Sequence, residues 1–373
     1  MAVDEHLRFS LSLHRQLAPS PDRSFCWSPH SVASCLGLTA AAAAGGTRRE
    51  LAGLLGAEPE QLAAFLAEAA RLEPARREPA PLEPTTAASP ELAVANALWA
   101  REDLPLNREF LDQLDRWPGS AVRHAPFRAE PERARQLINE DVRETTRGLV
   151  PELLPAGSVD EDTVAALVNA LYLKVAWAEA FDEASTAERT FHAPAGDRQV
   201  ATMRATRTLG HAARGGWQVV GLPAVGGVEA LVLLPDAPLD EAEPRLDALG
   251  PLLAELDQQR VALSLPRFEV TGRAELGAPL GALGVGTAFT PAADFSPLTP
   301  GRMRISAVVH ESVLRVDESG LEGAAATASL VRLTAAVREP DPIRVDVDRP
   351  FLFLVRDSAS GAVHFLARVA DPG

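Results

Sequence analysis

His310 and Glu311 are the only histidine followed directly by glutamate in this 373-residue chain. On a helix such a pair would hold zinc and activate its water if a second histidine followed at the fourth place, but Leu314 stands there. Gly281, Gly284 and Gly286 in GALGVG have the glycine density of a phosphate loop, yet they lack the preceding strand and the Lys-Ser/Thr ending, and read as a helix end. No Gly-x-Ser-x-Gly elbow occurs. The scattered Ser, His and Asp residues select no triad by spacing, so a hydrolase of unrecognised type is the remote alternative. Cys26 and Cys35 have neither metal-ligand nor redox spacing and read as packed thiols. Neither cofactor nor metal is expected.

Composition bounds the remaining classes. Apolar residues make up 46% and charged residues 23%, which is globular. A formal net charge of -15 argues against nucleic acid, whose phosphates call for clustered positive charge. Lys174 is the only lysine, leaving 36 - 1 = 35 arginines, a bias expected from a GC-rich genome or a thermophile. The N-terminal stretch carries Asp4 and Glu5 and lacks the apolar core of a signal peptide, and no run reaches the ~18 apolar residues of a membrane span. A soluble chain is expected, cytoplasmic by default and extracellular if a leader has been removed.

The elements change character along the chain. A helix, a short strand at Phe25 to Trp27, a helix opened by Ser28 and Pro29 and stopped by Gly45 and Gly46, and helices at 47–55 and 58–72 come first. Repeated prolines make 74–90 a connection. A strand is expected at 92–100 and an amphipathic helix at 129–146. VAALVNALYLKVAW (164–177) is almost continuously apolar and reads as a central strand covered on both faces. Mostly strands follow, with helical patterns at 239–256 and 274–284. Helices first and strands later imply an α+β fold, here one domain over 1–373.

ESGLEGAAATASLVRL (318–333) fits neither pattern, because GAAATAS contains nothing larger than threonine. A short exposed helix is one reading. With a period of two, Leu321, Gly323, Ala325, Thr327, Ser329 and Val331 form an uncharged face, while Glu322 and Arg332 fall on the other, which could meet solvent. Such a segment can be exposed in one state and a buried strand in another, the requirement for a loop-insertion switch, of which serpin loops are a standard example.

DESGLEGAAAT (317–327) resembles the proximal hinge of the serpins. Five further stretches, at 25–56, 137–159, 167–186, 280–298 and 348–372, together with 305–320, look like segments of that family in the family's order. The resemblance implies three β-sheets, eight to nine helices and an exposed reactive-centre loop at 318–342. It also implies a suicide-substrate inhibitor of serine proteases rather than an enzyme, acting as a monomer in a covalent 1:1 complex. The hinge would comprise Glu318, Gly320, Leu321, Glu322, Gly323, Ala324, Ala325, Ala326 and Thr327. Leu321 and Gly323 depart from the family's Thr/Val and Ala but remain uncharged. Ser28, Ser31, Asn169 and His310 match the polar "shutter" beneath the large sheet. Trp177, Arg267 and Glu318 match the "breach" at its top, with an Arg267–Glu318 ion pair expected. Sixteen places after Glu318, 318 + 16 = 334, puts the scissile bond at Thr334–Ala335; a loop one residue shorter puts it at Leu333–Thr334. Either suits a chymotrypsin-like or elastase-like protease. With no lysine in 74–90, heparin is not expected as a partner. A non-inhibitory carrier, chaperone or storage role is the alternative.

Overall fold

The run from Val164 to Trp177 forms a strand, Ala165–Ala176, with eleven of its twelve residues buried, as an unbroken apolar run demands when both faces are covered. In the computed structural model, the described residues are 3–18, 20–71, 91–117, 119–243, 246, 249–321 and 341–373. The proline-rich 74–90 segment, the hinge residues Glu322, Gly323, Ala324, Ala325, Ala326 and Thr327, and the candidate bonds at Leu333, Thr334 and Ala335 lie outside the described residues.

The helical segments are α1 Val3–Leu17, α2 Pro29–Ala41, α3 Gly45–Leu55, α4 Pro59–Ala69, α5 Arg108–Leu111, α6 Pro131–Thr145, α7 Leu239–Ala242, α8 Leu249–Ala254 and α9 Gly277–Ala282. The strands are β1 Phe25–Trp27, β2 Glu91–Arg101, β3 Ser120–Ala125, β4 Ala165–Ala176, β5 Ala187–Ala193, β6 Gly196–Arg214, β7 Trp217–Pro223 and β8 Val228–Pro235. After them come β9 Asp257–Pro266, β10 Phe268–Glu275, β11 Ala307–Val316, β12 Gly320–Leu321, β13 Ile343–Asp346, β14 Phe351–Asp357 and β15 Val363–Val369.

One sheet has six strands in the order β10-β11-β12-β4-β2-β3. The second network runs β1-β15-β14-β8-β7-β6-β9-β13, with β5 also on β6. It is two sheets joined through one strand: β6 pairs with β5 and β9 from Gly196 to His211 and with β7 only over Gly210–Arg214. Three departures from the sequence expectations have local causes. Gly45 and Gly46 open α3 instead of closing α2, which already ends at Ala41. Pro266 and Arg267 divide one expected strand into β9 and β10. The 239–256 pattern yields two short helices, α7 and α8.

Two cores hold the six-stranded sheet. On one face α6 sets Ile138 and Val142 against Val168 and Ala170 of β4. On the other, Leu171, Leu173 and Val175 of β4 share a core with Phe268, Phe353 and Phe365. Beneath the sheet, α2 is apolar on nearly all sides and buried from Pro29 to Ala40, as an all-round apolar helix must be. Ser28 caps it, its side chain accepting from Ser31 N–H, and Pro29 fills the first turn, where no N–H is needed.

Candidate functional site

The centre of the six-stranded sheet contains a seam. Strands β4 and β11 pair in parallel from Ala166–Ala307 up to Leu171–Ser312. At the upper end β12 stands between them, with Gly320 opposite Ala176 and Leu321 opposite Val175 on β4, and Leu321 opposite Val316 on β11. Among the described residues no ladder joins 172–174 to 313–315, so the seam is closed by a ladder below and wedged by β12 above. Leu321 is fully buried in the core under the sheet. Glycine is required at 320 because a Cβ there would lie 2.2 Å from the Val175 carbonyl oxygen and 2.7 Å from Ala176 Cα.

Glu318 anchors the upper end. Its Oε1 accepts from Arg267 Nε at 2.7 Å and from Thr186 Oγ1 at 2.5 Å, and Arg267 Nη2 lies 2.6 Å away. Burial pushes the Glu318 pKa up, but the bonds from Arg267 and Thr186 and the Arg267 charge outweigh it and hold the group below its ordinary value. Backbone contacts fix the same turn: Trp177 N–H donates to Ser319 O, Phe181 N–H to Glu318 O, and Trp177 Nε1 to Asp317 O at 2.8 Å. The ion pair is asymmetric, with the Glu318 side chain 5% exposed and that of Arg267 45%. Its loss therefore acts mainly through a buried carboxylate left short of donors. Arg267→Ala is expected to lower stability by about 1–3 kcal/mol and the melting temperature by a few degrees. Calorimetry checks this; an unchanged melting temperature would deny the pair any role in holding the seam.

A second polar group lies lower in the seam. His310 and Asn169 are direct partners across β11 and β4, and Asn169 is in turn the partner of Asn96 on β2. Ser28 N–H donates to His310 Nε2 at 2.9 Å, so the ring proton sits on Nδ1 and is donated to Asn169 Oδ1 at 2.5 Å. Asn169 Nδ2 donates to Ser31 Oγ at 2.6 Å and also to Asn96 Oδ1, which receives Ser31 Oγ–H at 3.1 Å as well. All five side chains are buried. Burial lowers the His310 pKa to about 3, so the imidazole is neutral. The structure thus brings together Ser28, Ser31, Asn169 and His310, and separately Trp177, Arg267 and Glu318. Sequence reasoning missed Asn96 and Thr186. An asparagine inside the apolar run LAVANALWA was the available signal for Asn96; an exposed-looking threonine gave none for Thr186.

The arrangement has no nucleophile–base pair and no cluster of three metal-ligating side chains among the described residues. Burial pushes the thiols of Cys26 and Cys35 up to about 12, which leaves them inert. What the site presents is a pair of strands parted at its upper end by a short third one.

Comparison with known proteins bears on this directly. Serpin-Z1C of Triticum aestivum is 31% identical over 100% of this chain and 96% of its own length. Leukocyte elastase inhibitor of Sus scrofa is 30% identical over 98% of each. Among solved structures, thyroxine-binding globulin in complex with thyroxine superposes with a TM-score of 0.83, covering 99% of both chains at 24% identity, a likeness of fold. The model of the family described as Serpin (serine protease inhibitor) matches residues 4–372, and this chain belongs to the serpin family, whose relatives such as leukocyte elastase inhibitor are named as inhibitors and not as enzymes.

Proposed function

We propose that the chain inhibits serine proteases by offering 318–342 as bait and then inserting the cut loop between β4 and β11. The observation that carries the reading is the wedge itself: Gly320 and Leu321 already occupy the first two places of a strand between β4 and β11. Continuing both antiparallel registers six residues beyond Leu321 sets Thr327 opposite Asn169 on β4 and opposite His310 on β11 (321 + 6, 175 - 6, 316 - 6). The Asn169–His310 hydrogen bond spans the place that Thr327 would take, so insertion exchanges that bond for partners on a hydroxyl of suitable size. One residue beyond Leu321, Glu322 falls between Lys174 and Arg315, and opposite charges on adjacent strands favour pairing. Ten residues on, Val331 reaches Ala165, the first residue of β4 (321 + 10, 175 - 10).

Chemically, the protease serine attacks the Thr334 or Leu333 carbonyl, the amine of the following residue leaves, and an acyl-enzyme ester remains. Insertion then competes with water. A strand from 320 to 334, 15 residues at about 3.3 Å each, would carry the ester roughly 50 Å. A protease dragged that far and compressed against the far end loses the oxyanion hole and triad geometry that deacylation needs. Threonine or leucine before the cut suits elastase-like or chymotrypsin-like pockets, and the leukocyte elastase inhibitor among the relatives supports that class. A non-inhibitory binding role draws support from the fold likeness to thyroxine-binding globulin. Against it stands a hinge with no charged, bulky or proline residue on the odd positions from Gly323 to Val331.

The test mixes the protein with chymotrypsin, elastase, subtilisin and trypsin in turn and looks for a 1:1 complex that survives SDS, mapping the cut by mass spectrometry. A covalent complex with chymotrypsin or elastase, cut after Leu333 or Thr334, is the expected result. Cleavage without complex by all four would refute inhibition of these classes.

A further inference from the structure

Three histidines with no role in the seam meet elsewhere in the core: His6 on α1, His30 in the first turn of α2 and His364 on β15. All three are buried. The rings of His30 and His364 lie 5.2 Å apart between centroids, and the His6 ring packs on Phe65 at 5.4 Å and on Phe9 at 6.2 Å. Both ring nitrogens of His364 and Nδ1 of His30 have no hydrogen-bond partner, and those of His6 have none at full hydrogen-bond geometry, the Val363 carbonyl being the backbone group that favours its protonation. Buried polar atoms are nearly always paired, so such a cluster is out of the ordinary. A neutral imidazole tolerates such a site as a flat, largely apolar ring. An imidazolium does not, because its two N–H groups and its charge would face hydrocarbon and two other imidazoles.

The surrounding elements supply little compensation. Asp357 at the end of β14 is the carboxylate whose charge favours protonation of His364, and its Oδ1 is already bonded to the amide and hydroxyl of Ser360. Arg356 on β14 is paired with Glu229. Asp4 and the Glu5–Arg8 pair of α1, Arg48, Arg49 and Glu50 of α3, and Glu60 and Glu68 of α4 lie toward the surface. Cys35 of α2 is a neutral thiol. His14, further along α1, differs from the three: Trp27 Nε1 donates to its Nδ1, and its Nε2 meets Glu243, which Arg368 of β15 also holds.

We propose that His6, His30 and His364 form an acid-operated release, which disengages α1 from α2 and β15 when the surroundings acidify. Burial lowers the pKa of His6 and His364 to about 4 and that of His30 well below its ordinary value, with neighbouring imidazoles adding to the effect at His6 and His30. Folded-state values below the ordinary 6.5 mean that the closed core stays unprotonated while an opened one takes up protons. The stability these groups contribute is therefore complete above about pH 6.5 and is lost as pH falls toward about 4. With three protons taken up together, the opening equilibrium shifts by up to about a thousandfold per pH unit in mid-window. The release stands whether or not the loop traps proteases, since it concerns the closed core alone.

The experiment compares the wild-type chain with His6→Leu/His30→Leu/His364→Leu and with His364→Leu alone. Leucine fills a similar volume without a titrating group. Near-UV circular dichroism gives the acid midpoint, and hydrogen exchange, corrected for its intrinsic pH dependence, locates the first opening. The wild-type chain is expected to open first in α1 and β15 between pH 6.5 and 4. The triple variant should move the midpoint down by about one pH unit or more, and His364→Leu should remove close to one proton from the slope. If the triple variant does not fold, the single variant decides. An unchanged midpoint and slope in His364→Leu, or acid opening that begins at the β4–β11 seam around His310 while α1 stays protected, would overturn the proposal.

Discussion

One cut between Leu333 and Ala335 is expected to raise the melting temperature of this protein by more than about 10 °C. Nicking an exposed loop ordinarily leaves stability unchanged or lowers it, because it adds freedom to the unfolded chain and removes a connection. The opposite sign is expected here because the uncut loop is tethered at both ends, by Leu321 in the seam and by Ile343 in β13. Cutting frees the first of these ends to continue downward. The six-pair parallel ladder between β4 and β11 would give way to two antiparallel ladders running from Gly320 toward Val331, a longer run of pairing than the one lost. A net gain of about ten hydrogen bonds at about 1 kcal/mol each moves the midpoint by roughly 13 °C in a chain of this size, whose unfolding entropy is about 0.8 kcal/mol/K. Limited proteolysis followed by calorimetry reads the shift, with mass spectrometry confirming a single cut. A nicked protein that melts at or below the temperature of the intact one would rule out insertion, whatever its effect on proteases.

That expectation rests on a periodicity visible in the amino-acid sequence. Alternate positions from Leu321 to Val331 are uncharged, and the structure places the first of them, Leu321, in the core beneath the sheet. The central strand was equally legible, since a strand buried on both faces needs an unbroken apolar run and 164–177 supplies one. Other elements were hidden for physical reasons. Strands β5 and β6 were not anticipated because their exposed positions carry Glu188, Arg189, Arg198, Arg204 and Thr206, which interrupt any apolar pattern. Asn96 escaped because its role depends on cross-strand register with Asn169, and register is a property of three strands together.

The character of the second face also needed the fold. Solvent was the sequence expectation for the even positions. On the proposed insertion the continued register would set Ala326 and Ala328 opposite Ala170 and Val168, which share a core with Ile138 and Val142 of α6 (321 + 5 with 175 - 5; 321 + 7 with 175 - 7). Small residues on both parities then have one cause: in the lower half of the sheet the incoming strand must pass between two covered faces. Only higher up, at Glu322, does the even face leave room for a charge.

Thr327→Arg is expected to turn the protein from inhibitor into substrate. The extended registers bring residue 327 to the place where Asn169 and His310 now meet, on the face shared with Ser28, Ser31 and Trp27. A guanidinium arriving there would be desolvated beside a neutral imidazole whose pKa burial has lowered to about 3, with no carboxylate among the bonded groups of the cluster. An unpaired buried charge costs several kcal/mol even after relaxation, and each 1.4 kcal/mol added to the insertion barrier slows that step about tenfold. Hydrolysis of the ester is untouched by the change, so it wins the competition. The stoichiometry of inhibition should rise tenfold or more, cut loop should accumulate in place of complex, and the gain in melting temperature on cleavage should shrink or vanish. Thr327→Ser keeps a small side chain and the hydroxyl and should trap protease as the wild-type chain does. If 318–342 is the exposed bait proposed above, the uncut forms of both variants should melt alike. If Thr327→Arg traps protease as efficiently as Thr327→Ser, the strand enters in a different register or on the opposite face, and the assignment of Leu321, Gly323, Ala325, Thr327, Ser329 and Val331 to the core is wrong.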